Sequence, residues 1–166
     1  MTVTFYICAI VAVASTLMVI IGVNAVHSLL YFIVSLLATG LIFFVLGAPF
    51  VAALVVIINA GAIMVLFVFV VMMLNLGPQT IEEEKSRMNL RMWVGPAILA
   101  AILFIELIYV LVDFHATGIE AQVITAKEVG AALFGPYMLG VELASFLLLA
   151  GLIGAYHLGR AAAPKE

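Results

Sequence analysis

The first charged side chain in this sequence is Glu82; no Asp, Glu, Lys or Arg stands before it. A soluble fold needs a solvated face, and an uncharged stretch of 81 residues offers none. Several helices in lipid need no such face. The rest of the composition agrees. Only 9% of the 166 residues are charged and 67% are hydrophobic, whereas soluble domains carry about 25% charged residues. The mean hydropathy is +1.39. A net charge of −3 without a basic patch points away from nucleic acid. The single cysteine, Cys8, excludes an internal disulfide and a thiolate metal cluster. The N-terminus lacks the positive region and cleavage site of a signal peptide, so the first apolar run is expected to stay as a helix.

Crossing a bilayer takes about 20 mostly apolar residues in a helix. Five segments qualify: 5–23, 26–46, 50–76, 93–112 and 137–158. The expected fold is an all-α integral membrane protein, one membrane domain over 1–166 with five transmembrane helices. Gly22 and Asn24 mark the first link, Gly47-Ala48-Pro49 the second, and Gly77-Pro78 stops the third helix. Pro96 falls in the first turn of the expected fourth helix, where its missing N–H costs little. Polar loops are expected over 79–92 and 114–136. Within the second, Thr125-Ala-Lys-Glu128 matches a capping box, so a short surface helix is expected at about 126–134. With five spans, Lys85, Arg87, Arg91, Arg160 and Lys165 share a side and Lys127 has the other. The positive-inside rule then places the N-terminus outside and the C-terminus in the cytoplasm. Trp93 and Tyr137 fall at span ends, as belt aromatics do.

No hydrolytic triad, phosphate loop, dinucleotide fingerprint or metal site is legible. His27, His115 and His157 are far apart and read as interfacial histidines. Two carboxylates lie inside spans. Burying a charge at mid-bilayer costs about 2.5–3.5 kcal/mol even on lenient scales, so Glu106 and Glu142 read as proton-path candidates or as carboxyls neutralised or paired with another chain. Glu106, Tyr109 and Asp113 share a helix face, as do Glu142 and Ser145. The second helix carries His27, Tyr31, Ser35 and Thr39 at successive i+4 positions, a stripe for helix–helix hydrogen bonds or for a hydrated path. The third helix holds Asn59 near its middle, followed by Ala60-Gly61-Ala62. Small residues there admit a neighbouring helix or let the helix deform, and an irregularity is expected between Asn59 and Val65. A π-bulge is the form such a weak point takes, often at functional sites. The Asn59 amide is expected to bond a carbonyl that the bulge frees.

These residues also carry a resemblance. Asn59-Ala-Gly-Ala-Ile-Met-Val-Leu-Phe-Val-Phe-Val-Val-Met-Met-Leu-Asn-Leu76 resembles the third helix of the J subunit of bacterial respiratory complex I, the proton-pumping NADH:quinone oxidoreductase, equivalent to mitochondrial subunit 6. Asn24-Ala-Val-His-Ser-Leu-Leu-Tyr31, Trp93-Val-Gly-Pro-Ala97 and Phe134-Gly-Pro-Tyr-Met-Leu-Gly-Val-Glu-Leu-Ala-Ser145 are similar to the starts of its second, fourth and fifth helices. The resemblance covers nearly the whole chain. It implies a multi-pass subunit of the bacterial inner membrane with five helices and no cofactor or metal of its own. FMN, iron–sulfur clusters and quinone would be used on other subunits. The partners implied are the A, K and H subunits and the antiporter-like subunits, besides the lipid bilayer. It also implies a third helix that switches between a π-bulge and an α-helix, opening a hydrated link from the quinone site toward the pump. Asn59, Gly61, Glu142, Glu106 and Tyr31 are the resulting gating or proton-path candidates. Two positions depart from the family pattern. Val55 stands where a glutamate is common and cannot carry a proton. Asn59 stands where a tyrosine is common and keeps polarity without the ring. Two other readings fit the residues: a subunit of a related cation/proton antiporter or membrane-bound hydrogenase complex, and a membrane scaffold or assembly protein.

Overall fold

The computed structural model describes residues 2–22, 24–73, 91–117 and 123–159. The side chains of 72, 73, 91, 92 and 113–117 are outside that description. So are the charged loop expected over 79–92, apart from the backbone at 91 and 92, and the C-terminal end of the chain from 160 onward. Every regular element among the described residues is helical. In chain order they are α1 (Thr2–Ile21), α2 (Ala25–Val45), α3 (Pro49–Val55), a π-helical segment (Val56–Ile63), α4 (Met64–Met73), α5 (Arg91–Thr117), α6 (Ala126–Leu133) and α7 (Met138–Gly159). Among the described residues, five stretches are long and apolar enough to cross a membrane: α1, α2, the continuous third span Pro49–Val71, Trp93–Val112 within α5, and α7.

The chain divides into two compact units, Met1–Ile124 and Thr125–Glu166. In the first unit α2 is the central helix, packing against α1, the third span and α5. The α1 face toward it holds Thr4, Cys8, Val11 and Ser15, all buried. These are small side chains at helical spacing, so the two backbones come close. Val34, Ala38 and Leu41 of α2 and Leu103 of α5 complete this core. Hydrogen bonds fix the register. Thr16 Oγ1 and Ser35 Oγ lie 2.8 Å apart, and Ser35 Oγ also donates to Ala12 O at 3.2 Å. Such bonds are worth about 0.6 kcal/mol each in membrane helices, so packing holds more of this pair than polarity does.

Local chemistry explains the ends. Asn24 caps α2 by accepting the His27 N–H at 3.2 Å. Gly47 follows with φ 83°, a left-handed conformation that glycine adopts without a Cβ penalty. Its N–H donates to Phe44 O and its carbonyl accepts the Ile124 N–H. Pro49 then opens the third span at a position where no N–H is required. The fourth helix departs from its expected 93–112 bounds, starting at Arg91 and running to Thr117. The loop expected from 114 therefore begins later. Pro96 consequently lies inside the helix, not in its first turn, and withholds an N–H from the carbonyl four residues earlier.

In the second unit the capping box forms. Glu128 N–H donates to Thr125 Oγ1 at 3.3 Å, while Glu128 Oε2 accepts from Thr125 N–H at 2.7 Å. These bonds favour the ionised carboxyl. The Thr125 backbone N–H first, and its hydroxyl second, hold Glu128 below the ordinary carboxylate range.

Candidate functional site

The third span changes helix type at its middle. The N–H of Val56, where α3 gives way, is shared between Ala52 O and Ala53 O. At the far end the Met64 N–H reaches back five residues to Asn59 O, and also meets Gly61 O. The sequence favours such loosening. Val55-Val56-Ile57-Ile58 places four β-branched side chains in a row, which crowd an α turn. Gly61 then adds no Cβ to resist a wider one. The irregularity covers Val56–Ile63, so it opens three residues before the expected 59–65 window and closes two before its end. The β-branched run Val55–Ile58, upstream of the small residues, is the sequence signal that marks its start.

Two expectations about this segment need correction. Among the described residues, the Asn59 side chain has no hydrogen-bond partner within the chain; only its backbone carbonyl serves the π turn. Asn59 is half-buried at mid-span. Among the described residues, Gly61 admits no neighbouring helix of this chain either. A Cβ built there would meet only Val56 O, at an ordinary 3.7 Å. The close approaches occur at other glycines. A Cβ at Gly40 of α2 would come within 2.9 Å of Val56 Cγ2, and one at Gly95 of α5 would collide with Tyr31 Oη.

The polar stripe on α2 divides among its neighbours. Tyr31 is buried, stacks edge-on against His27 with ring centroids 4.9 Å apart, and presses its hydroxyl on Gly95. Ser35 turns to α1, and Thr39 Oγ1 donates back to Ser35 O within its own helix. His27 Nε2 and the Ser15 and Ser28 hydroxyls are buried without a hydrogen-bond partner among the described residues. The stripe therefore acts as several separate contacts.

The two membrane carboxylates differ in surroundings. Glu106 is half-buried in α5, one turn beyond Leu103, which packs in the same core as Cys8 of α1. Tyr109, one turn on, is exposed, and the Asp113 side chain is outside the described residues. Glu142 in α7 is exposed, and the Ser145 hydroxyl one turn on is already donating to the Glu142 backbone carbonyl at 2.7 Å. Among the described residues, no three of His, Cys, Asp and Glu come together as a metal site would require.

An apolar groove of about 510 Å³ runs between α2, α3 with the start of the π segment, and α5. Leu37, Gly40, Phe44, Val56 and Leu103 are among its walls. Outer faces of α1, α4, α5 and α7 expose large apolar side chains along their lengths. Buried small and polar seams, apolar outer faces and a mid-span π segment together define a multi-pass membrane protein.

Comparison with known proteins narrows that class. Residues 15–158 match the family model of NADH-ubiquinone/plastoquinone oxidoreductase chain 6, and the chain belongs to that family. It is 56% identical over 156 residues to NADH-quinone oxidoreductase subunit J of Escherichia coli strain K12, covering 94% of this chain and 85% of that protein. It is 57% identical over 157 residues to subunit J of Pseudomonas aeruginosa, with 94% and 95% covered. Subunit J of Buchnera aphidicola from Schizaphis graminum is 52% identical over 156 residues, with 94% and 96% covered.

Proposed function

We propose that this chain is a membrane-arm subunit of a proton-pumping NADH:quinone oxidoreductase in a bacterial inner membrane, and that it couples quinone reduction to proton translocation through its third span. The observation that carries the reading is the π segment Val56–Ile63, in a chain whose other described elements are α-helices and which is more than half identical to subunit J proteins. A π turn and an α turn of the same residues differ by one residue's rotation, roughly 100°. Quinone chemistry on a neighbouring subunit biases that choice, and the choice opens or closes a hydrated link toward the pump.

Flavin, iron–sulfur and quinone chemistry belongs to other chains in this reading. The partners are the A, K and H subunits and the antiporter-like subunits. Asn59 supports such an assembly, since an unpartnered amide at mid-span finds its hydrogen bonds in a neighbouring subunit or in water. Glu142 is the membrane carboxylate assigned to the proton path, and Glu106 serves the α1–α5 contact. Glu142→Gln should lower pumping and Glu106→Gln should leave it near normal; unchanged pumping in Glu142→Gln removes that assignment. The N-terminus faces outward and the C-terminus the cytoplasm. A cysteine at position 86 labelled from outside in sealed cells would reverse this.

The decisive experiment is Gly61→Leu. The 3.7 Å clearance at Gly61 lets a side chain enter without breaking the π form. The variant should therefore assemble, keep NADH oxidation with ferricyanide, and lose proton pumping because the hinge has stiffened. A fully coupled Gly61→Leu complex would refute the gating role.

A further inference from the structure

The π segment meets α2 at its start through Val56, and again from Ala60 in its middle to Met64 just past its end. At the start, Val56 Cγ2 rests on the bare backbone of Gly40, where an added Cβ would stand only 2.9 Å away. At the end, Met64 is 1% exposed and lines one apolar cavity with Ile33 of α2. Ile33, Leu37 and Gly40 recur at i, i+4 and i+7, so one face of α2 receives both ends. Between them Ile57, Ile58 and Ile63 are exposed. Replacing the π turn by an α turn rotates one flank against the other by roughly 100°. The two end contacts therefore cannot both survive the change.

From this geometry we infer that Gly40 and Met64 are positioning residues, a latch on α2 that selects the π register of the third span. The inference rests on the coupling role proposed above for that span. Gly40 is the sensitive member. Val56 is β-branched and stiff at χ1, so its methyl cannot swing clear of a new Cβ. The Ala52 carbonyl stands 3.6 Å from the same point and backs it with main chain. A methyl at position 40 should push the π start off α2 and favour the register that leaves more room.

The two registers are distinguishable by chemistry. With the residues up to Val55 held in place, an α turn brings Ile63 to the position that Met64 holds in the π form. The test uses the assembled complex in membranes, with Cys8→Ala as background and a short bifunctional thiol reagent as probe. Ile33→Cys is paired with Met64→Cys or with Ile63→Cys. With Gly40 present, the 33–64 pair should link faster than 33–63. With Gly40→Ala the preference should invert, and proton uptake per NADH should fall while ferricyanide reduction stays level. An inverted preference with unchanged pumping keeps the latch and removes the gating role of the span. A preference for 33–64 that persists in assembled Gly40→Ala overturns the latch. If Gly40→Ala alone fails to assemble, Gly40→Ala with Val56→Ala relieves the overlap. Recovery of assembly and of the 33–64 preference then supports the contact, and failure of both variants alike overturns it.

Discussion

Gly95→Ala is the substitution whose cost can be worked most directly from the packing. A Cβ at Gly95 would collide with Tyr31 Oη, and the Tyr31 Cζ lies 3.2 Å from the same point. Tyr31 is 8% exposed and held on one side by the His27 ring, so it has little room to swing away. Forcing a methyl into a filled site costs about 1–3 kcal/mol, which corresponds to roughly 5- to 150-fold in the equilibrium between packed and separated helices. Tyr31→Phe removes the colliding oxygen and leaves a carbon contact that is tight by a few tenths of an ångström. The double variant should therefore recover most of the loss, and the coupling between the two sites should be favourable. Graded heating of solubilised membranes, followed by quantifying the intact complex on a native gel, measures this. Ferricyanide reduction corrects for the amount of peripheral arm. A Gly95→Ala complex as heat-stable as its parent would refute the close approach of α2 and α5. So would a Tyr31→Phe change that adds its own loss without relieving the first.

Gly47→Ala places an L-residue at φ 83° and should destabilise the link between α2 and the third span by about 1–2 kcal/mol, with Gly47→Asn milder; equal heat stability of all three would show that the turn relaxes. The α6 cap should depend on pH with a definite sign. Because the Thr125 bonds lower the Glu128 carboxyl below its unfolded value, its contribution is present above the ordinary carboxylate range. That contribution is lost as pH falls through the lowered value. Amide exchange in α6, corrected for intrinsic rates, should accelerate on acidification, and Glu128→Ala should flatten that response; identical profiles would exclude the cap as its source.

The sequence by itself determined that this chain lives in a membrane. An uncharged run up to Glu82 leaves lipid as its solvent, and lipid permits few architectures besides helices. The turns at Gly47-Ala48-Pro49 and the cap at Thr125 were equally legible, because the chemistry of a helix end is local. Tertiary structure decided the rest, since in lipid apolarity does not say which face meets a neighbour. Every residue of the third span but Asn59 reads as apolar or small, so its sequence alone could not show that Val56 meets Gly40 while Gly61, among the described residues, meets nothing beyond its own helix. The i+4 row His27, Tyr31, Ser35 and Thr39 looked like one polar stripe. Ser35 goes to α1 and Tyr31 to α5, while His27 stacks on Tyr31 and Thr39 bonds back within α2. Glu106 and Glu142 looked alike as carboxylates within spans, and only the packing of α5 beside Cys8 separates them. The place where the third span leaves α geometry was partly legible, because a β-branched run followed by glycine weakens a helix wherever it occurs. Its boundaries depend on α2, because the contacts of Val56 and Met64 fix where the extra residue is accommodated.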